Sequence, residues 1–479
     1  MALIQLIDYV AKQIEESPSI LHAKAHDVAG RPYPTRTIFI KIQQYIERHL
    51  ARTHEADGRW VVVPGLRGVG KSTLLAQVYL KFLKNRKDIE FIYFSLDEVV
   101  ESFGSNLKSA LEAFESLKGI NLATFEKPLF IFLDEVHYDE NWSAIIKVLY
   151  DKNPNIFIFA TGSCAVALQR NADEQRRLTV ERLYPMSFAE YMIVKHKVYP
   201  PKDLKRRLTD AIFLQKDATT VYARLKGLEP EVDGYWRKVT PGILATYFRV
   251  GSIPFATTFE DQKKAFDAIY QTIRAIVESD LPMFGNFRSQ TSAHTIQILS
   301  LLAISSGVST RKLASLLGIR HETVADILSA LVRAELVVEV APYGSVKTKI
   351  SKPKKYLFMS PALRASILFT IGGDKFIEQH KGDLFEDVVG MYLYKEFSAK
   401  HRGVVSYFEK TQAVHADFVI SVESRDIPLE VGMGEKDTRQ MWDIMTELES
   451  PYGLICHAGK LEIVQDRVIK IPHKFLLLT

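Results

Sequence analysis

The stretch "PGLRGVGKST", Pro64 to Thr73, constrains this chain more than any other. Before it, "WVVV" at 60–63 reads as a short buried strand. After it, "LLAQVYLKFLKNRK" has apolar residues at helical spacing and a basic end. Gly65, Gly68, Gly70, Lys71 and Ser72 fill the pattern G-x-x-x-x-G-K-[ST]. A glycine-rich loop between a strand and a helix lets backbone N–H groups curl around phosphate oxygens with no side chain in the way. The helix N-terminus adds positive potential. Gly65, Gly68, Val69, Gly70, Lys71, Ser72 and Thr73 are therefore the expected contacts to a nucleotide, with ATP and Mg²⁺ as the expected ligands. The Lys71 ammonium is expected on the β- and γ-phosphates and the Ser72 hydroxyl on the metal.

Such a loop needs an acid at the end of a neighbouring buried strand. "PLFIFLDEV" supplies it: Asp134 follows five apolar residues and is expected at the C-terminal edge of a parallel sheet, holding Mg²⁺. Glu135 is then placed to polarise the attacking water as general base. A further strand, "NIFIFATGS", ends in small polar residues. Similarity to P-loop ATPases of the AAA+ type, in which a small polar residue here touches the γ-phosphate or attacking water, implies that role for Ser163, with Thr161 as the alternative. Arg176, Arg177 and Arg182 follow, and one of them is a candidate arginine finger acting on a neighbouring subunit. Arginines on a solvated helix face are the competing reading.

These motifs, with "YPMSFAEY" (184–191), "KKYLFMSPALRASI" (354–367) and "GDLFEDVVGMYLY" (382–394), resemble the prokaryotic AAA+-type ATPases that carry a C-terminal restriction-nuclease-like domain. The resemblance covers most of the chain. It implies an α/β fold: an AAA+-type core with N-terminal helices at 1–190, a helical lid at 191–290, a winged helix-turn-helix at 291–370 and a PD-(D/E)xK nuclease-like domain at 371–479. The residues between 190 and 290 are helix-rich, and no second sensor arginine is assigned there.

From Ser309 the pattern reads helix, turn at Gly318, second helix, then the strands "LVVEV" and "KKYLFM". Arg320, His321 and Thr323 open the second helix, where DNA readers place contact residues. Lys347, Lys349, Lys352, Lys354 and Lys355 fall in or beside the wing with no acid among them. They are expected to make salt-dependent phosphate contacts. Packing of the winged helix within the protein is the alternative.

In the last hundred residues the elements run helix, three strands, helix, strand, the order of the PD-(D/E)xK core. The first helix, carrying Glu386, reads as amphipathic. Asp417 and Glu430 are expected to leave adjacent strands toward one point and, with Glu386, to surround Mg²⁺. A lysine belongs two residues after Glu430, and that position is Gly432. Lys436 is the candidate substitute. Loss of a charged orienting group costs orders of magnitude in rate, so a frame that does not cut is the expectation, and an active nuclease the alternative.

Composition limits the remaining choices. The chain has 479 residues, is 47% apolar and carries a net charge of +5, so a nucleic-acid surface is expected to be local. Two cysteines exclude a Cys-rich zinc site and suit a reducing cytoplasm. No apolar stretch is long enough for a bilayer, and no membrane partner is expected. The reading is an ATP-driven switch or motor acting with DNA, with a homo-oligomer allowed. Its alternatives are a nucleotide-gated assembly protein without DNA and an ATP-regulated endonuclease.

Overall fold

Five strands pair in parallel in the first of two units, Met1–Tyr184. They are β1 (Trp60–Pro64), β2 (Glu90–Ser95), β3 (Leu129–Asp134), β4 (Ile156–Gly162) and β5 (Thr179–Val180), in the order β2-β3-β4-β1-β5. Every residue of β1, β3 and β4 is buried. Helices cover both faces of such a sheet, which is why these strands read as unbroken apolar runs. The computed structural model describes residues 2–52, 58–86, 88–164, 176–284, 289–305, 307, 309–411, 414–432, 434 and 438–479. Lys436 lies outside the described residues.

The helices of this unit are α1 (Ala2–Ala25), α2 (Ile38–Leu50), α3 (Lys71–Asn85), α4 (Leu107–Lys118) and α5 (Trp142–Lys152). The first of them belongs to the core: Leu6 and Val10 are buried among Trp60, Phe94 and Phe114. Register aligns the strand ends. Val63 pairs with Thr161, and Leu133 with Ala160. The loop after Pro64, Thr161 and Asp134 therefore leave the sheet at one level, at its C-terminal edge, where open α/β sheets bind ligands.

The second unit, Pro185–Thr479, begins with helices that include Phe188–His196, Leu204–Phe213, Ala218–Trp236 and Gln262–Ala275. Two short helices follow, Thr310–Leu317 and His321–Arg333. Ser309 caps the first by accepting from Lys312 N at 3.2 Å, and Gly318 ends it at φ 64°. The strands of this unit are β6 (Val337–Pro342), β7 (Lys355–Phe358), β8 (Val404–Thr411), β9 (Val414–Val422), β10 (Arg425–Val431), β11 (Gly453–His457), β12 (Glu462–Val464) and β13 (Val468–Pro472). The connection from β6 to β7 contains a six-residue helix, Val346–Ser351.

All eight strands form one sheet in the order β12-β13-β11-β10-β9-β8-β6-β7. Ala341 and Pro342 of β6 pair in parallel with Ser406 and Tyr407 of β8, so the sheet runs across position 370 without a break. The helix Lys381–Leu393, read as amphipathic, is buried at every position from Leu384 to Leu393. From Leu384 on it packs between β7, β10 and neighbouring helices and has no solvent face. Its polar Asp387 is matched by Arg364, both fully buried: Arg364 donates to the Asp387 carboxylate at 2.6 and 2.9 Å and to the carbonyls of Leu302 and Ala303.

Candidate functional site

The loop of residues 65–70 is held open by its glycines. Gly68 and Gly70 have φ of 83° and 95°, the left-handed region that side chains avoid. A Cβ on Gly65 would lie 2.3 Å from the Leu183 carbonyl oxygen, so only glycine fits against that backbone. The loop then feeds directly into α3, whose first residue is Lys71. Lys71 is buried, and its ammonium bonds the carbonyls of Gly65 and Leu66, each at 3.1 Å. Val69 is buried, and Ser72 and Thr73 are half-buried at the helix start.

Asp134 is 1% exposed at the end of β3. One carboxylate oxygen accepts from the Thr161 hydroxyl; the other faces Lys24 Nζ at 3.2 Å. Lys24 also donates to the Tyr93 hydroxyl at 2.9 Å. Burial opposes the charge on Lys24, but Tyr93 and Asp134 outweigh it and hold the ammonium above its usual pKa. Neither Lys24 nor Tyr93 has a sequence signal: each is one residue of an ordinary helix or strand, brought to Asp134 by the fold.

Glu135 sits in left-handed backbone, φ 51°, so the chain turns sharply between the two acids. Burial raises its carboxyl pKa, and the Lys71 ammonium partly offsets this. His137, also absent from the motif reading, lies between Glu135 and Ser163. Its Nδ1 is 3.3 Å from Glu135 Oε2 and 3.3 Å from the Ser163 backbone nitrogen. The Ser163 hydroxyl is buried with no hydrogen-bond partner among the described residues. Thr161, by contrast, is committed to Asp134. Of the arginines, Arg177 pairs with Asp151 at 2.7 Å, and Arg176 is exposed.

These residues suit a metal-bound nucleoside triphosphate. Asp134 and Ser72 offer hard oxygen donors of the kind magnesium takes. Ser163 keeps a buried hydroxyl with no hydrogen-bond partner among the described residues.

A second charged group lies in Pro185–Thr479. A two-residue turn at Glu423 and Ser424 sets β9 against β10 with Phe418 opposite Leu429. Beyond that pair the carboxylates take over the backbone donors: Val431 N bonds Asp417 at 2.8 Å and Asp417 N bonds Glu430 at 3.3 Å. Asp417 and Glu430 are thus tied to each other's strands. Glu386 joins them through a lysine absent from the expected set. Lys355, at the start of β7, pairs with Glu386 and lies 3.5 Å from Asp417. Burial works against its charge, but the two carboxylates raise its pKa above the ordinary value. Among the described residues, no group of three or more His, Cys, Asp or Glu side chains is arranged to hold a metal ion. The cation between Glu386 and Asp417 is this ammonium.

The expected DNA contacts separate in the same way. Lys355 is half-buried in the acid group, Lys354 pairs with Glu339 at 2.8 Å and Lys352 donates to the Glu409 carbonyl at 2.6 Å. These three lysines each have a partner within the protein. Lys347 and Lys349 are exposed on the short helix Val346–Ser351, beside exposed Val346 and Ile350. Arg320 and His321 are exposed at the start of His321–Arg333, with His321 Nε2 2.7 Å from the Thr310 hydroxyl.

Residues 57–192 match the family model of an AAA domain, and residues 242–371 match a domain of unknown function (DUF8612). The segment that carries the phosphate loop, the acid strand and the parallel sheet is thus the one similar to AAA domains. It belongs to the family of the uncharacterized protein MJ1637 of Methanocaldococcus jannaschii, with 32% identity over 488 residues, covering 99% of this chain and 95% of the relative. A second uncharacterized protein of that organism, MJ1544, is 20% identical over 371 residues, covering 76% of this chain and 73% of its own. Among solved structures, AMPPCP-bound DnaA from Aquifex aeolicus is 16% identical, covering 65% of this chain and 92% of that one, with a TM-score of 0.27. C. elegans PCH-2 is 12% identical, covering 65% and 72%, with a TM-score of 0.26. No helix among the described residues is long and apolar enough to cross a membrane.

Proposed function

We propose that this protein binds and hydrolyses Mg-ATP at residues 65–73 and works as a nucleotide-driven switch or motor on DNA. The observation that carries this reading is the alignment of the glycine loop, Asp134, Thr161 and Ser163 at one edge of the parallel sheet. Lys71 exchanges the carbonyls of Gly65 and Leu66 for phosphate oxygens. Ser72 and Asp134 hold Mg²⁺, which neutralises charge on the phosphates. Glu135 accepts a proton from the attacking water, its affinity for that proton raised by burial. His137 links this base to Ser163, so both approach the water from one side.

DNA contact in this reading falls to Arg320, His321, Lys347 and Lys349 in a winged helix. The nuclease-like domain serves as a frame that transmits the nucleotide state without cutting. Lys355 supports this: an ammonium already balances Glu386 and Asp417. The internal engagement of Lys352, Lys354 and Lys355 also favours a second reading, a nucleotide-gated assembly protein that does not use DNA. One assay separates them: ATP hydrolysis with and without single-stranded, duplex and branched DNA. Stimulation by any DNA form supports the first reading, and indifference to all of them supports the second.

A further inference from the structure

Asp134 is a carboxylate with almost no exposure to water, and such a group needs a counter-charge. In this structure the counter-charge comes from outside the nucleotide-binding motifs. Lys24 reaches it from the last turn of α1, and the family match begins only at residue 57. The contact is anchored on both sides. Tyr93, on β2 beside β3, accepts a second bond from the same ammonium, and Thr161 fixes the other carboxylate oxygen. The chain that follows α1 stays on the loop: Arg36 donates to the Val69 carbonyl at 3.1 Å, and Gln77 of α3 donates to the Tyr33 carbonyl at 2.9 Å.

We infer that Lys24 is a positioning residue that holds Asp134 as its built-in cation before Mg²⁺ arrives, and that metal binding must work against it. The inference rests on the ATP reading above and adds a residue to it. Its logic is electrostatic. A positive charge already on the acid repels a divalent ion brought to the same acid, and repulsion between partly buried charges is weakly screened. Lys24 therefore raises the Mg²⁺ concentration needed for nucleotide to bind. When the metal is loaded, the ammonium loses its carboxylate partner, and the end of α1 is released from the site. Nucleotide loading is thereby reported to the N-terminal helix.

The test uses the full chain with Lys24→Met, Lys24→Arg, Asp134→Asn and the double variant Lys24→Met/Asp134→Asn. The first readout is the melting temperature without nucleotide or metal. Lys24→Met is expected to lower it in the wild-type background and to leave it unchanged in the Asp134→Asn background, while Lys24→Arg restores it. An equal drop in both backgrounds would show that Lys24 acts only through packing and would overturn the inference. The second readout is the Mg²⁺ concentration that half-saturates binding of a fluorescent ATP analogue. Lys24→Met is expected to lower it by roughly tenfold, the order expected on removing one charge beside a divalent ion in a partly buried site. An unchanged or raised value in the folded variant would overturn it. Wild-type protein that binds no nucleotide at any Mg²⁺ concentration would defeat the ATP reading. The melting-temperature cycle would still decide whether Lys24 and Asp134 are coupled.

Discussion

The ammonium of Lys355 lies 3.5 Å from the carboxylate of Asp417 while pairing with Glu386, so one lysine spans two acids that a nuclease of this frame would turn toward a metal. Purified wild type and Asp417→Ala are expected to be equally inert on every DNA form with Mg²⁺ or Mn²⁺. Lys355→Met leaves two buried acids facing each other and is expected to destabilise the protein by about 3 kcal/mol, the scale of breaking a buried ion pair on one side. A nicking assay checks the first point and chemical unfolding the second. Cleavage by wild type that vanishes in Asp417→Ala would make this an ATP-regulated nuclease.

Hydrolysis is expected to depend on Glu135. Glu135→Gln keeps the side chain's size and should retain ATP binding while lowering turnover by about 10²-fold or more, the loss typical of a missing general base. Lys71→Ala should weaken binding itself, because its ammonium meets the phosphates in every nucleotide state. Separate measurements of nucleotide affinity and turnover check the split. Wild-type turnover in Glu135→Gln would remove this residue from the base's role.

The nucleic-acid test narrows from five wing lysines to two. Lys347→Glu/Lys349→Glu is expected to weaken DNA binding across all sequences and to reduce the salt slope by about 2, since each lost phosphate contact removes nearly one unit. Binding isotherms over a salt series give the slope. A double variant with the wild-type slope would clear this helix of any phosphate contact.

Arg364 and Asp387 form a fully buried pair inside the second unit. Arg364→Met strands a carboxylate that also accepts from Phe358 N at 2.9 Å. A loss of about 3–5 kcal/mol is expected, much of it recovered in Arg364→Met/Asp387→Leu, where neither charge remains. Melting temperatures of the single and double variants check this. Equal stability of the single variant and wild type would mean that water reaches the carboxylate.

The residues of the proposed nucleotide site could be picked out because they are local in the sequence. Gly65 to Thr73 is one continuous stretch, and Asp134 closes an apolar run that can only be a buried strand. What was not legible depends on distance along the chain. Lys24 and Tyr93 meet Asp134 because α1 packs on the sheet and β2 lies beside β3, and no spacing rule announces either fact. Charge patterning gave no hint of Lys355: among five lysines without an acid between them, it is the one that meets Glu386 and Asp417. The helix Lys381–Leu393, buried from Leu384 onward, shows the same limit. Glu386 and Asp387 suggest a polar face, yet each is answered by a cation from elsewhere, Lys355 and Arg364.

The pairing of Ala341 and Pro342 with Ser406 and Tyr407 also bears on inheritance. A recombination event that exchanged only the segment after residue 370 would bring β8 without the edge it was selected to meet. The orphaned edges would invite pairing between molecules. The segments on either side of residue 370 are therefore expected to travel through evolution as one piece.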